Sequence, residues 1–286
     1  MGVTIVGCGD IGSRIAMESL SEGDVVTGWV RSEESIKYLQ GLGIGAMQID
    51  LDQPLATIPS VENEQLFYLA PPPSVGCEDS RVANLIDHLL DGGQPKKVVY
   101  LSTSGVYGDC NGAWVDETRR PAPAVDRARR RLDAERRWQT WCEHTGGELV
   151  ILRVAGIYGP GKLPVQRLQQ GQPMVSEADS PFTNHIHSLD LVKVCLVAMQ
   201  RGHSGEVFNV CDGHPNSMTS YFNQVADFLH LPRPPQISLD EAKHTLSPGM
   251  LSYLGESRRL SNNKLLDELS VALSYPTLEQ GLPACL

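Results

Sequence analysis

At 286 residues the chain can bury a full core, and it suits one large α/β domain or such a domain with a smaller partner. Its formal net charge of -10 argues against a general affinity for nucleic acid or an anionic membrane surface, because both would repel it, and leaves a small soluble ligand as the expected partner. No apolar run approaches the ~20 residues of a membrane span, no basic segment precedes an apolar stretch at the N-terminus, and the seven scattered cysteines include no C-x-x-C, so the expectation is a cytoplasmic protein with free thiols.

In chain order, short β-branched runs at 3–6, 25–30, 66–69, 97–101 and 149–154 alternate with amphipathic stretches at 13–20, 32–39, 80–90 and 124–143. Strands separated by helices of this length pair in parallel through right-handed crossovers, which gives a doubly wound Rossmann sheet. After Gly159-Pro160-Gly161 the pattern is less regular, with Pro and Gly punctuation and a late helical stretch at 219–229. The reading is a dinucleotide-binding domain over 1–160 and a smaller substrate lobe over 161–286, some of whose segments return to the sheet, with the cleft between them.

The first turn carries the chemistry. Val3 to Val6 leads into Gly7-Cys8-Gly9-Asp10-Ile11-Gly12, a G-x-G-x-x-G that opens the first helix. Gly7 allows the tight turn, Gly9 lets backbone approach a pyrophosphate, and Gly12 lets helix and strand pack closely, with Asp10 and Ile11 beside the phosphates at the helix N-terminus. The second strand ends in Gly28-Trp29-Val30-Arg31. An NAD enzyme usually places Asp or Glu there for the ribose 2′-OH, whereas Arg31 can pair with a 2′-phosphate, so NADP(H) is preferred to NAD(H).

Further motifs follow: Leu101-Ser102-Thr103-Ser104-Gly105-Val106-Tyr107-Gly108, Ile151-Leu152-Arg153, Gly156-Ile157-Tyr158-Gly159-Pro160-Gly161, Asn184-His185-Ile186-His187 and Gly205-Glu206-Val207-Phe208-Asn209-Val210. Together they resemble the extended short-chain dehydrogenase/reductase superfamily, in its NAD-dependent epimerase/dehydratase branch. The resemblance implies that Asp50, with Leu51, contacts the adenine, that Leu69, Ala70 and Pro71 run past the adenosine ribose, and that Thr103 is the Ser/Thr that hydrogen-bonds a substrate oxygen. Read without the family, Ser102, Thr103 and Ser104 already form a hydroxyl cluster at the C-terminal end of a central strand, where doubly wound sheets bind ligands.

The chain departs from the family at the Tyr-x-x-x-Lys pair of the next helix. Anchored on Ala134-Glu135, Arg127 stands at the Tyr position and Arg131 at the Lys position. Arg131 can donate to ribose hydroxyls and Arg127 can hold an anionic group, but neither can move a proton, since arginine stays charged. Tyr107 or Tyr158 is then a candidate acid. Ser104, Arg127, Asn184, His185 and His187 are the candidate substrate contacts. His185 and His187 also flank Ile186 as two metal ligands would, but no third ligand follows at a supporting spacing and no metal is expected. The Arg-rich stretch 119–137 has Asp126, Asp133 and Glu135 interleaved and reads as a solvated or dimer-facing helix, the resemblance implying a homodimer through this helix and the one at 80–90. The functional expectation is an oxidoreductase or epimerase/dehydratase-type enzyme acting on a small hydroxyl or carbonyl substrate, such as a sugar or nucleotide sugar. The alternative is a non-catalytic NADP(H)-binding sensor or scaffold.

Overall fold

The central strands are apolar on both faces, so the sheet they form has to be covered on both sides. The computed structural model, which describes residues 1–53, 55 and 58–286, shows how. Strands β1 (Gly2–Val6), β2 (Val25–Val30), β3 (Gly45–Gln48), β4 (Gln65–Tyr68), β5 (Lys97–Thr103), β6 (Glu148–Val154) and β7 (Glu206–Val210) pair in the order β7-β6-β5-β4-β1-β2-β3, all in parallel. The order reverses between β1 and β4, which puts a ligand crevice at their C-terminal ends.

The main helices are α1 (Asp10–Ser21), α2 (Glu33–Gly41), α3 (Ser80–Gly92), α4 (Asp126–Thr145), α5 (Ser188–Arg201) and α6 (Met218–Phe228). Strand alternation sorts the apolar side chains into two cores. Val3, Ile5, Phe67, Val99 and Leu101 pack with Ile15 of α1 and Leu191 and Val194 of α5. Val6, Leu66, Tyr68, Val98 and Tyr100 pack with Val82 and Leu85 of α3 and Trp138 of α4. A third core joins Tyr158, Leu168 and Met174 to Phe222 and Val225 of α6 and to Leu278 and Leu282, and it holds the smaller lobe together.

One feature differs from the sequence reading. Residues 45–48 (Gly-Ala-Met-Gln) carry no β-branched side chain and gave no strand signal, yet they form the edge strand β3 against β2. Helix α5 and strand β7 come from beyond residue 160 and pack in the Rossmann layer. Among the described residues, no helix is long and apolar enough to cross a membrane.

One buried polar chain ties the sheet to α4. Ser102 on β5 donates to Glu135 Oε1 at 2.5 Å, and Arg153 on β6 donates to both Glu135 oxygens, at 3.1 and 2.8 Å. The third Arg153 nitrogen donates to the Tyr107 hydroxyl at 3.0 Å, which in turn donates to Asn209 on β7 at 2.8 Å. Removing Glu135 or Arg153 strands the other as a buried charge, a loss of about 3–5 kcal/mol. Glu135→Leu is therefore expected to lose about that much stability in urea unfolding, whereas replacing the exposed Glu143 by Leu should cost under about 0.5 kcal/mol.

Candidate functional site

The glycine turn is fixed by what surrounds it. Gly7 has a φ of +82°, and a side chain there would meet the Ala70 backbone at 2.5 Å. At Gly12 it would meet Ile5 at 3.1 Å, while at Gly9 it would point into open space. Gly9 also begins α1 with no side-chain cap, so the first-turn amides of Asp10, Ile11 and Gly12 are the donors an anion would meet. The Asp10 carboxylate turns aside to Arg14 at 3.1 Å and to Lys162 at 2.9 Å, tying the 159–162 loop to the turn. Ile11 packs against the first core. Cys8, within the turn, is a buried filler whose thiol is pushed up to about 12 by burial, the opposite of an activated cysteine.

Beside the turn lies a cleft of about 270 Å³ lined by Trp29, Arg31, Asp50, Leu51, Ala70, Pro71 and Arg81. Asp50 accepts the Asp52 amide at 3.0 Å. The Arg31 side chain is 68% exposed and 3.7 Å from Asp52. Arg81 holds the same Asp52 with two bonds, at 2.6 and 2.5 Å, and donates to the Pro71 carbonyl at 2.8 Å. The sequence reading missed Arg81, because nothing at the start of an amphipathic helix announces that its second residue folds back over the end of β4. Leu69 packs against the first core instead of lining this cleft.

A second cleft, of about 470 Å³, is lined by Thr103, Ser104, Arg127, Arg131, Asn184, Glu256 and Arg258, among others. Thr103 ends β5 and its hydroxyl accepts the Gly105 amide at 3.2 Å. Arg131 bridges two strand ends, donating to the carbonyls of Ala70 at 3.2 Å and Leu101 at 3.1 Å. Arg127 donates to Ser252 at 2.5 Å and lies 4.2 Å over the Tyr253 ring. Asn184 donates to the Arg258 carbonyl and accepts the Leu260 amide.

The other candidates lie elsewhere. Ser102 faces the opposite side from Thr103 and is committed to Glu135. Tyr107 is buried in the same polar chain and held to about 12 by burial, and Tyr158 is buried with its hydroxyl on the Thr277 carbonyl; neither lines the cleft. His187 caps α5, its Nδ1 accepting the Leu189 amide, and His185 stacks on Tyr221 with ring centres 4.1 Å apart. Pairing of 185–187 with 156–158 buries both rings, so the structure gives them packing roles in place of substrate contact. Among the described residues, no group of three or more His, Cys, Asp or Glu could hold a metal ion.

Residues 80–211 match the NAD dependent epimerase/dehydratase family. The protein YeeZ of Escherichia coli K12 is 25% identical, with 96% of each chain aligned. A conserved protein from Silicibacter pomeroyi, solved without a known function, is 30% identical over 99% of this chain and 97% of that one, with a TM-score of 0.87. A UDP-glucose 4-epimerase from Thermotoga maritima, solved with UDP-glucose, shares the fold at 18% identity over 99% of this chain and 96% of that one, with a TM-score of 0.79.

Burial moves the His185 imidazole from the usual 6.5 down to about 4. Between these values the unfolded chain binds the proton and the folded chain does not. Stability from this group is therefore full above pH 6.5 and is lost as the pH falls towards 4. Going from pH 7.5 to pH 5 should cost about 2 kcal/mol through His185 alone, and His185→Gln should flatten that part of the profile in denaturant titrations at the two pH values.

Proposed function

The chain belongs to the NAD-dependent epimerase/dehydratase family, and from that premise we propose that it binds NADP(H) in preference to NAD(H). In this reading it works in the cytoplasm as an oxidoreductase or epimerase/dehydratase-type enzyme on a small hydroxyl- or carbonyl-bearing substrate, a sugar or nucleotide sugar such as the UDP-glucose found in the Thermotoga epimerase structure. One observation carries the proposal: the two clefts meet at the end of β4. Ala70 and Pro71 line the first, Pro72 lines the second, and Arg131 of the second cleft is bonded to the Ala70 carbonyl.

The residues fit such a cofactor. The open space at Gly9 and the uncapped start of α1 suit a diphosphate. Asp50 and Leu51 flank the adenine end, and Arg131 stands where a ribose hydroxyl would find a donor. Arg31 suits a 2′-phosphate: Asp52 is already satisfied by Arg81, so an exposed Arg31 at 3.7 Å gives up little by turning to a phosphate. When bound, the nicotinamide would supply a hydride acceptor or donor. Thr103 would orient the reacting oxygen, with Ser104 beside it. A homodimer would use the apolar groove between α3 and α4, where Ile86 and Trp141 lie beside Arg136 and Arg137.

A second reading, a dinucleotide-binding sensor or scaffold, is favoured by Arg127 and Arg131 at the positions the resemblance assigns to Tyr and Lys, since neither can move a proton. Two measurements decide. In fluorescence titrations Arg31→Ala should weaken NADPH about tenfold or more and leave NADH within about twofold; equal effects on both would remove the 2′-phosphate assignment. With UDP-glucose and NADP+, Thr103→Ala should abolish conversion of the sugar, followed by NMR of the glucosyl protons, while NADPH still binds. Wild-type protein that binds NADPH but turns over no nucleotide sugar supports the sensor.

A further inference from the structure

Glu256 plays no part in the function derived so far, yet its situation calls for a ligand. It follows the helix Pro248–Leu254, is 8% exposed, and lines the same cleft as Thr103. Its Oε2 accepts from Arg258 at 2.9 Å. Its Oε1 is buried with no hydrogen-bond partner among the described residues, and the Arg127 guanidinium stands off from it at 4.0 Å. A buried carboxylate oxygen left without a donor is costly, and a donor arriving with a ligand would relieve that cost.

We propose that Glu256 and Arg127 form a subsite for the hydroxyl groups of a polyol substrate, with Glu256 Oε1 accepting from one hydroxyl and the Arg127 guanidinium donating to a neighbouring oxygen. The cleft selects a neutral donor. Arg127 and Arg258 already flank Glu256 with positive charge, and Arg131 lines the same cleft, so an ammonium group would be repelled where a hydroxyl is not. A hydroxyl is both donor and acceptor, and a carboxylate beside a guanidinium offers the complement of each. The inference rests on reading this cleft as the sugar end of the site, and it adds the residues that recognise the sugar hydroxyls.

The test is saturation-transfer NMR with UDP-glucose as probe on wild-type protein and E256Q, with UDP alone titrated in parallel and NADPH binding followed by fluorescence on the same samples. Glucosyl protons should receive saturation in the wild type. E256Q should weaken UDP-glucose about tenfold or more, the scale of a lost hydrogen bond to a charged group, and leave UDP and NADPH within about twofold. If E256Q does not fold, Arg127→Gln reads the subsite from its donor side, with the same selective loss expected. Absent transfer to glucosyl protons in the wild type, or an unchanged affinity in the folded variant, overturns the proposal. Failure of NADPH to bind would count against the cofactor reading alone, because the glucosyl contact is observed separately.

Discussion

The buried pair between Glu135 and Arg153 fixes the helix on which the site depends. Glu135 lies one turn beyond Arg131 and two beyond Arg127, so all three share a face of α4. Arg153 grips both oxygens of Glu135 from β6 while Ser102 holds it from β5, so that face is aimed at the strand ends. A buried ion pair adds little net stability over an apolar equivalent, because desolvation offsets much of the attraction. Here it sets the rotation and height of α4 against the sheet, and through them the places of Arg127 and Arg131. Tyr107 and Asn209 extend the chain to β7, which explains why a tyrosine next to the hydroxyl cluster faces inward.

With α4 fixed in this way, Arg131 is a bound charge. Its bonds to the Ala70 and Leu101 carbonyls hold a cation across the ends of β4 and β5, next to the crevice where the strand order reverses. A guanidinium held in this way can orient an oxygen-rich ligand, but it does not exchange protons near neutral pH. Orientation and proton transfer are separate demands, and α4 meets the first. Any proton transfer has to come from another group in the second cleft or from the ligand itself.

Much of this was legible in the sequence, for definite reasons. The glycine turn is local: a side chain at Gly7 is forbidden by its own φ and by a single neighbour, Ala70. The parallel sheet follows from β-branched runs separated by helix-length segments, while β3 was missed because an edge strand can form from residues with no strand preference. The misplaced site residues fail for tertiary reasons. Ser102 and Thr103 are equivalent as letters, but alternation turns one to Glu135 and the other to the cleft. His185 and His187 look like exposed ligands until the strand 156–158 pairs beside them and buries both. Arg81 and Glu256 were invisible because each reaches its cleft only through contacts far away in sequence.

Those two residues reveal a common construction at the two ends of the site. Beside the first cleft Asp52 sits between Arg81, bonded at 2.5 Å, and Arg31, at 3.7 Å. At the other end Glu256 sits between Arg258, at 2.9 Å, and Arg127, at 4.0 Å. In each, one arginine is held closely by the carboxylate and the second stands farther off. A fully paired arginine would have to break a salt bridge to meet a ligand, and an isolated one would sample many rotamers. A guanidinium steered by a carboxylate that a second arginine already holds avoids both costs. The same device at the two ends suits a ligand pair with oxygen-rich groups at both extremes and a reactive centre between them, near Thr103 and Arg131.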